Sequence, residues 1–387
     1  MRAALLPWSI LIALLTSCGG TGVETRDAAV AEDAYARDAF VSPSDSAATP
    51  TDAATRTDAG VPIGDLPGSP PTRTCTTPRV FPRIAGSAFT LGGQAAFFHD
   101  EGDEYGFFHT YDGLVACTGD SARQVHVLLP RDYETSRRRY PVLYMNDGQT
   151  AFFTDNAVGK TWNVQEVLSD LRRCGESQDI IVVSPVPLDR GAEYSHADLG
   201  DGSSCCEVEA YTRYLTECLG GFIESNYRVA TGPENTAILG SSRGGLAAFW
   251  IASAHPERFG HVAAISPSFW VNLDSRSTGA IGPTALRESA LYAHARPGLA
   301  DSSRRPAIWI DWGLVRAGGD HNAIIESMAT VRGREMVGLL ETDLGYARTG
   351  IGAASELVAI EDPDGAHTEE TWHARLPWML RWMFPGR

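Results

Sequence analysis

The segment Gly240-Ser241-Ser242-Arg243-Gly244-Gly245 constrains this chain more than any other. Before it, Thr236-Ala237-Ile238-Leu239 is a short apolar run that reads as a buried strand. After it, Leu246 to Ala254 is rich in Ala, Leu and Trp and reads as a helix. A serine between glycines that leaves a strand and enters a helix sits on a turn too tight for flanking side chains. The turn lifts the Ser242 hydroxyl above the sheet. It also leaves the Arg243 N–H at a helix start, where it can donate to a developing oxyanion. A serine hydroxyl is a poor nucleophile until a base takes its proton, so the motif predicts a histidine and an acid elsewhere.

The N-terminus reads as an address label. Met1-Arg2 supplies a positive charge, Leu5 to Leu15 an apolar core, and Leu15-Thr16-Ser17-Cys18 the close. That run is too short to span a bilayer permanently, so residues 1–17 read as a cleaved signal. The ending resembles a bacterial lipobox, which makes Cys18 the expected lipidation site and the membrane a partner through that anchor. Residues 18–74 are Ala, Asp, Thr, Ser and Pro with few large apolar side chains. They bury too little surface to offset their ordering entropy and are expected to form a disordered tether. Acidic residues there contribute to the formal net charge of −16, which argues against nucleic-acid binding. About three hundred residues remain, a length that suits one large α/β domain.

Of seven cysteines, the anchor takes one. The other six, Cys75, Cys117, Cys174, Cys205, Cys206 and Cys218, are an even set in an exported chain and point to disulfides. The pairing expected here joins Cys75 to Cys117 and clusters the other four near Cys205-Cys206. The spacings fit no standard zinc pattern, and neither metal nor cofactor is expected.

Residues 75–120 are rich in Gly and aromatics and read as a β-rich extension, either a hairpin layer or an irregular cap. From 121 to 387 the pattern becomes regular. Gln124–Leu129, Val142–Met145, Ile180–Ser184, Ala237–Leu239, Val262–Ile265, Ile308–Ile310 and Glu356–Glu361 read as strands. Val164–Cys174, Val208–Asn226, Leu246–Ala254, Asn322–Leu344 and Thr371–Met383 read as helices. Strands apolar on both faces that alternate with helices imply a mostly parallel sheet flanked by helices. With the serine turn, this is the α/β-hydrolase fold, in which the chain order is Ser, acid, His.

Three histidines come late enough: His321, His367 and His373. His367 follows the last strand in Asp364-Gly365-Ala366-His367, where strand-end catalysts collect, and is the expected base. His373 lies inside the closing helix. The acid is expected after the penultimate strand, where Asp320 is favoured over Asp311 because a loop residue reaches over the sheet edge. Either aspartate equally suits a helix cap. A second oxyanion donor is expected after Val142–Met145, and the Gln149 N–H, beside Gly148, is the candidate. Asp147 either positions that loop or is a turn residue.

With these residues in place, the chain resembles the esterase D and enterochelin-esterase-like family of α/β-hydrolases, which includes siderophore, feruloyl and acetyl xylan esterases. The resemblance runs from about Gln124 to the C-terminus. It rests on Tyr140-Pro141-Val142-Leu143-Tyr144 with Asp147-Gly148-Gln149, on Trp162, on Arg190 with Glu193-Tyr194, and on the serine turn. It also rests on His255-Pro256-Glu257-Arg258-Phe259, Ser266-Pro267-Ser268-Phe269-Trp270, and Gly365-Ala366-His367 followed by Trp372. Two departures stand out. Arg316 occupies the place where many relatives carry a glutamate acid, and Arg243 follows the nucleophile where a small or apolar residue is usual. The Arg243 guanidinium either reaches an anionic group of the substrate or pairs with a nearby acid.

The lipobox-like ending and the family resemblance together lead to the expectation of a lipid-anchored serine esterase acting on a small-molecule or carbohydrate ester. In it Ser242, His367 and Asp320 would be catalytic, Arg243 and Gln149 would hold the oxyanion, and Trp162 and Trp270 would contact substrate. An acyltransferase to a sugar or lipid hydroxyl shares the same chemistry. The opposing reading is a binding lipoprotein that kept the fold and lost its acid, as Arg316 would allow.

Overall fold

Runs of consecutive apolar residues form the strands of one sheet, because a strand covered on both faces has no polar side to show. The computed structural model describes residues 64–66, 75–200, 202–352 and 354–386. Its sheet has eleven strands. In chain order they are β1 (Gly64–Asp65), β2 (Ile84–Leu91), β3 (Gln94–Asp100), β4 (Gly106–Leu114), β5 (Arg123–Pro130) and β6 (Val142–Met145). There follow β7 (Ile181–Pro185), β8 (Thr236–Ser241), β9 (His261–Ile265), β10 (Ala307–Gly313) and β11 (Leu357–Asp362). Across the sheet the order is β1-β11-β10-β9-β8-β6-β7-β5-β4-β3-β2. Every pair from β1 to β7 is parallel. From β7 onward the strands are antiparallel, so the β-rich extension continues the main sheet as β2, β3 and β4.

The helices are α1 (Gly148–Ala151), α2 (Val164–Arg173), α3 (Arg190–Glu193), α4 (Val208–Arg213), α5 (Gly220–Asn226), α6 (Arg243–Ala254), α7 (Ala290–Leu299), α8 (Glu326–Thr342) and α9 (Glu369–Met383). Two π turns interrupt what reads in sequence as continuous helix: Tyr214–Leu219 joins α4 to α5, and His321–Ile325 precedes α8. One face of the sheet is covered by α2 and α9 through Leu168, Leu171, Leu376 and Met379. The other is covered by α4 to α8 through Tyr211, Ile223, Phe249, Leu291 and Met336. Removing these side chains from water, at roughly 25 cal/mol per Å² of apolar area, is the main force holding the helices to the sheet. The α/β-hydrolase architecture expected from the sequence is therefore present. The α7 helix was not anticipated, since Pro297 and Gly298 interrupt its pattern.

Cys18, the signal-like segment and most of the acidic stretch lie outside the described residues. Within 18–74, Gly64 and Asp65 pair in parallel with Ile360 and Glu361. The disulfides correct the expected pairing. Cys75 joins Cys174, Cys117 joins Cys218, and the neighbours Cys205 and Cys206 join each other. The entry segment is pinned to the end of α2, where the Thr76 N–H also donates to the Arg173 carbonyl, rather than to Cys117. Among the described residues no helix is long and apolar enough to cross a membrane.

Candidate active site

The C-terminal ends of the parallel strands β6, β8, β9, β10 and β11 lie along one edge of the sheet, and Ser242 follows β8 there. That residue has φ 54° and ψ −124°, a conformation side chains rarely adopt and which persists where the surroundings enforce it. Here the Ser242 N–H donates to the Ile265 carbonyl at 2.9 Å, and its carbonyl accepts from Ser268, Gly245 and Leu246. A Cβ on Gly240 would fall 2.3 Å from the Gly244 carbonyl, and one on Gly244 would fall 2.9 Å from Asp147 Oδ2. The glycines are thus dictated by close approach of the two strand-end loops. Ser242 Oγ lies 3.4 Å from Ser268 Oγ, and Arg243 is the first residue of α6.

His367 lies in the β11–α9 turn. Its Nδ1 stands 2.5 Å from Glu326 Oε2, with the histidine 7% and the glutamate 0% exposed. The other oxygen, Glu326 Oε1, accepts from the Ser266 hydroxyl at 2.8 Å and from the Gly313 N–H. Ser266 directly follows Ile265, the residue that receives the Ser242 N–H, so the carboxylate, the histidine turn and the elbow share one network. Burial alone would raise the Glu326 pKa. The hydrogen bond and charge of His367, the charge of Arg375 and the Gly313 N–H outweigh it and hold the carboxyl below its ordinary value. The His367 N–H donates to Asn322 Oδ1 at 2.8 Å, His321 lies parallel to the His367 ring at 5.8 Å, and Trp372 meets it edge-on at 5.1 Å.

Neither aspartate favoured by sequence touches the histidine. Asp320 is exposed at the head of the π turn and makes no side-chain cap bond. Asp311 is 0% exposed and faces Arg375 at 2.7 Å and the Trp309 indole N–H at 2.7 Å. Burial pushes Asp311 up to about 6, with Arg375 opposing the shift. The carboxylate beside His367 comes instead from the first turn of α8, where the π turn has rotated Glu326 inward. Arg316 turns back onto the Gly313 carbonyl at 2.9 Å and Thr330 Oγ1 at 2.7 Å.

Asp147, at φ 63°, turns the chain from β6 into α1. Its carboxylate receives two bonds from Arg190, at 2.7 and 3.0 Å, and one from the Gln149 side chain at 3.1 Å. Its N–H donates to the Tyr194 hydroxyl at 3.0 Å, and Asn146 Nδ2 donates to the Gly244 carbonyl at 2.8 Å. Asp147 therefore positions the loop that carries Gln149, and Arg190 holds Asp147. The bidentate geometry is one that arginine supplies and lysine does not. The buried Arg243 guanidinium acts electrostatically on Asp189. Burial would raise that carboxyl, but Ser204, the Ala192 and Gly191 N–H groups and Arg243 hold it low. Trp162 and Trp270 are each 2% exposed. Trp162 stacks on Trp372 at 5.5 Å and donates its N–H to the Thr150 carbonyl, so it braces α1 against α9. Trp270 packs in the core beneath the Ser268 turn, and its indole N–H finds no partner among the described residues. His373 donates to the Trp162 carbonyl at 2.7 Å and belongs to the same bracing.

The fold and this arrangement define an α/β-hydrolase with a serine elbow. The chain belongs to the family described as "Putative esterase", which matches residues 118–383. The uncharacterized protein YbbA of Bacillus subtilis strain 168 is 27% identical over 154 residues, 38% of this chain and 58% of that protein. The chain thus spans little more than half the length of that curated relative. Among solved structures, the feruloyl esterase module of Clostridium thermocellum, complexed with sinapinate, is 14% identical with a TM-score of 0.51, over 72% of this chain and 88% of that one. An IroE-like serine hydrolase from Shewanella oneidensis is 17% identical with a TM-score of 0.50, over 68% and 76%. The BES protein from Bacillus cereus is 16% identical with a TM-score of 0.50, over 72% and 94%. At these identities the likeness shows the shared fold.

Proposed function

We propose that this chain is an exported serine esterase whose working residues are Ser242, His367 and Glu326. The observation that carries this reading is the buried Glu326–His367 pair, bonded into the network that also holds the Ser242 elbow. With Glu326 accepting at Nδ1, His367 carries its proton there and has Nε2 as the basic nitrogen. It takes the Ser242 proton as Oγ attacks an ester carbonyl, and later returns that proton to the leaving alcohol. The Arg243 and Gln149 N–H groups are the donors proposed for the tetrahedral oxyanion, and water then releases the acyl group. The departure that favoured a silent binding protein, Arg316 in the place of a glutamate, loses its force once Glu326 supplies a carboxylate. The Leu15-Thr16-Ser17-Cys18 sequence supports a lipid anchor at Cys18, and three disulfides suit an oxidising compartment. Trp162 and Trp270, each 2% exposed, would support the site by packing instead of contacting substrate. The test is hydrolysis of short p-nitrophenyl esters by the purified chain beside Ser242→Ala. Turnover that falls to background in the variant supports the reading, and equal rates for the two proteins overturn it.

A further inference from the structure

Between α3 and α4 the chain passes through Ser204-Cys205-Cys206-Glu207, and the two cysteines form one small ring with each other. Within it Cys206 takes φ 85°, in the left-handed region that a free cysteine avoids. On both sides of the ring the strap is tied to α3. The Ser204 hydroxyl donates to Asp189 Oδ1 at 2.5 Å, and the Glu207 N–H donates to the Ala192 carbonyl at 2.9 Å. A Cβ on Gly191 would stand 2.8 Å from the Ser204 carbonyl, so strap and helix are in direct contact. Asp189 in turn caps α3 through the Ala192 N–H at 3.0 Å. The next residue of α3 is Arg190, which grips Asp147, and Asp147 lies against Gly244 of the elbow. From the ring to the oxyanion turn the contacts are continuous. Cys206 is exposed and Cys205 half-buried, so the ring is open to reagents from solvent.

We propose that the Cys205–Cys206 ring is a redox-operated positioning element for the esterase site, an inference that rests on the function proposed above. Closed, it fixes the strap against α3 and keeps Arg190 on Asp147. Opened, it lets Cys206 relax to an ordinary conformation, and the strap's hold on α3 loosens. Opening requires an external dithiol. One of its thiolates attacks a ring sulfur to form a mixed disulfide, and its second thiol displaces the protein sulfur. The S–S bond breaks, the two cysteines gain two electrons and two protons, and the dithiol leaves as its own disulfide. Exchange with a small-molecule disulfide closes the ring again.

The experiment compares the full chain with the doubly substituted Cys205→Ala/Cys206→Ala protein, with and without dithiothreitol. The expected result is about a tenfold loss of kcat on a p-nitrophenyl ester in the double variant, with KM nearly unchanged, as misplacement of a positioning group produces. Dithiothreitol should bring the parent down to the variant's rate and leave the variant where it is. Hydroxyethyl disulfide should restore the parent. In an Arg190→Lys background the ring should make no further difference to kcat, which a merely structural role would not give. Hydrogen exchange at the Ala192 and Glu207 amides should rise in the variant, a readout that does not depend on activity. Unchanged exchange with the parent's kcat overturns the proposal. So does equal inactivation of parent and variant by dithiothreitol, which places the sensitivity in Cys75–Cys174 or Cys117–Cys218. Raised exchange in a chain that hydrolyses no ester in any state sinks the esterase reading and upholds the ring's grip on α3.

Discussion

Replacing Glu326 by Gln tests the assignment of the acid at one atom. Both carboxylate oxygens accept: Oε2 from His367 Nδ1 at 2.5 Å, and Oε1 from the Ser266 hydroxyl at 2.8 Å and the Gly313 N–H. Glutamine supplies one oxygen and one NH2, so one of these places must receive a donor. The Ser266 hydroxyl can rotate and accept, but the Gly313 N–H cannot, and a buried clash of donors costs about 1–3 kcal/mol. The amide nitrogen therefore turns toward His367. The imidazole must then accept at Nδ1 and carry its proton on Nε2, the tautomer that cannot take the serine proton. The equivalent change in a serine protease triad lowers kcat by about 10⁴, so we expect a loss of roughly 10³ to 10⁴ here, or about 4 to 5.5 kcal/mol at 1.4 kcal/mol per factor of ten. Initial rates on p-nitrophenyl acetate at neutral pH, with folding checked by circular dichroism, give the number. Asp320→Asn, at an exposed position with no side-chain cap bond, should stay within about twofold, as surface changes usually do. A Glu326→Gln protein that keeps more than a tenth of the parent's kcat, or an Asp320→Asn protein that loses most of it, refutes the reasoning.

Further outcomes follow from neighbouring contacts. Arg190→Lys removes the two-pronged hold on Asp147 and should lower kcat by about 10- to 100-fold with a smaller change in KM, measured by steady-state kinetics. Arg375→Leu leaves Asp311 buried without its partner and should cost about 3–5 kcal/mol in denaturant unfolding, since both side chains are 0% exposed. The pH dependence has a definite sign. The Glu326 carboxyl is held below its usual value of 4.5, so its ionisation stabilises the fold above that value. That contribution is lost as pH falls through the lower folded value. The stability advantage of the parent over Glu326→Gln should therefore shrink on acidification below about pH 4.5, and an advantage that grows there would be contrary.

The elbow was legible because its chemistry leaves no freedom: the strand, the glycines and the helix all stand beside Ser242 in sequence. His367 was locatable because a turn after the last strand has one place to go. Glu326 was hidden inside what reads as an ordinary helix from Asn322. A helical residue is expected to face solvent if it is acidic, and no local pattern announces a π turn. One signal was present. Glu326 stands four residues after Asn322 and three before Ala329, in the stripe that also carries Ile325, Met328 and Gly333, all of it buried. An acid in an apolar stripe needs a partner, and His367 is that partner. The Arg190 hold on Asp147 spans 43 residues and follows from the course of the β7–α3 loop, which spacing does not reveal. The disulfides were misassigned for a similar reason. Cys75 meets Cys174 and Cys117 meets Cys218 because the β2–β4 extension folds back along the sheet, bringing together residues 99 and 101 apart.

The most direct test of the central claim is intact-mass and peptide mass spectrometry after treatment with a fluorophosphonate, which reports both the nucleophile and the base that activates it. The expected result is a single adduct on Ser242, none in Ser242→Ala, and labelling slowed by orders of magnitude in His367→Ala and Glu326→Gln. An adduct on another residue, or labelling of Ser242 at the parent's rate without Glu326, would contradict it.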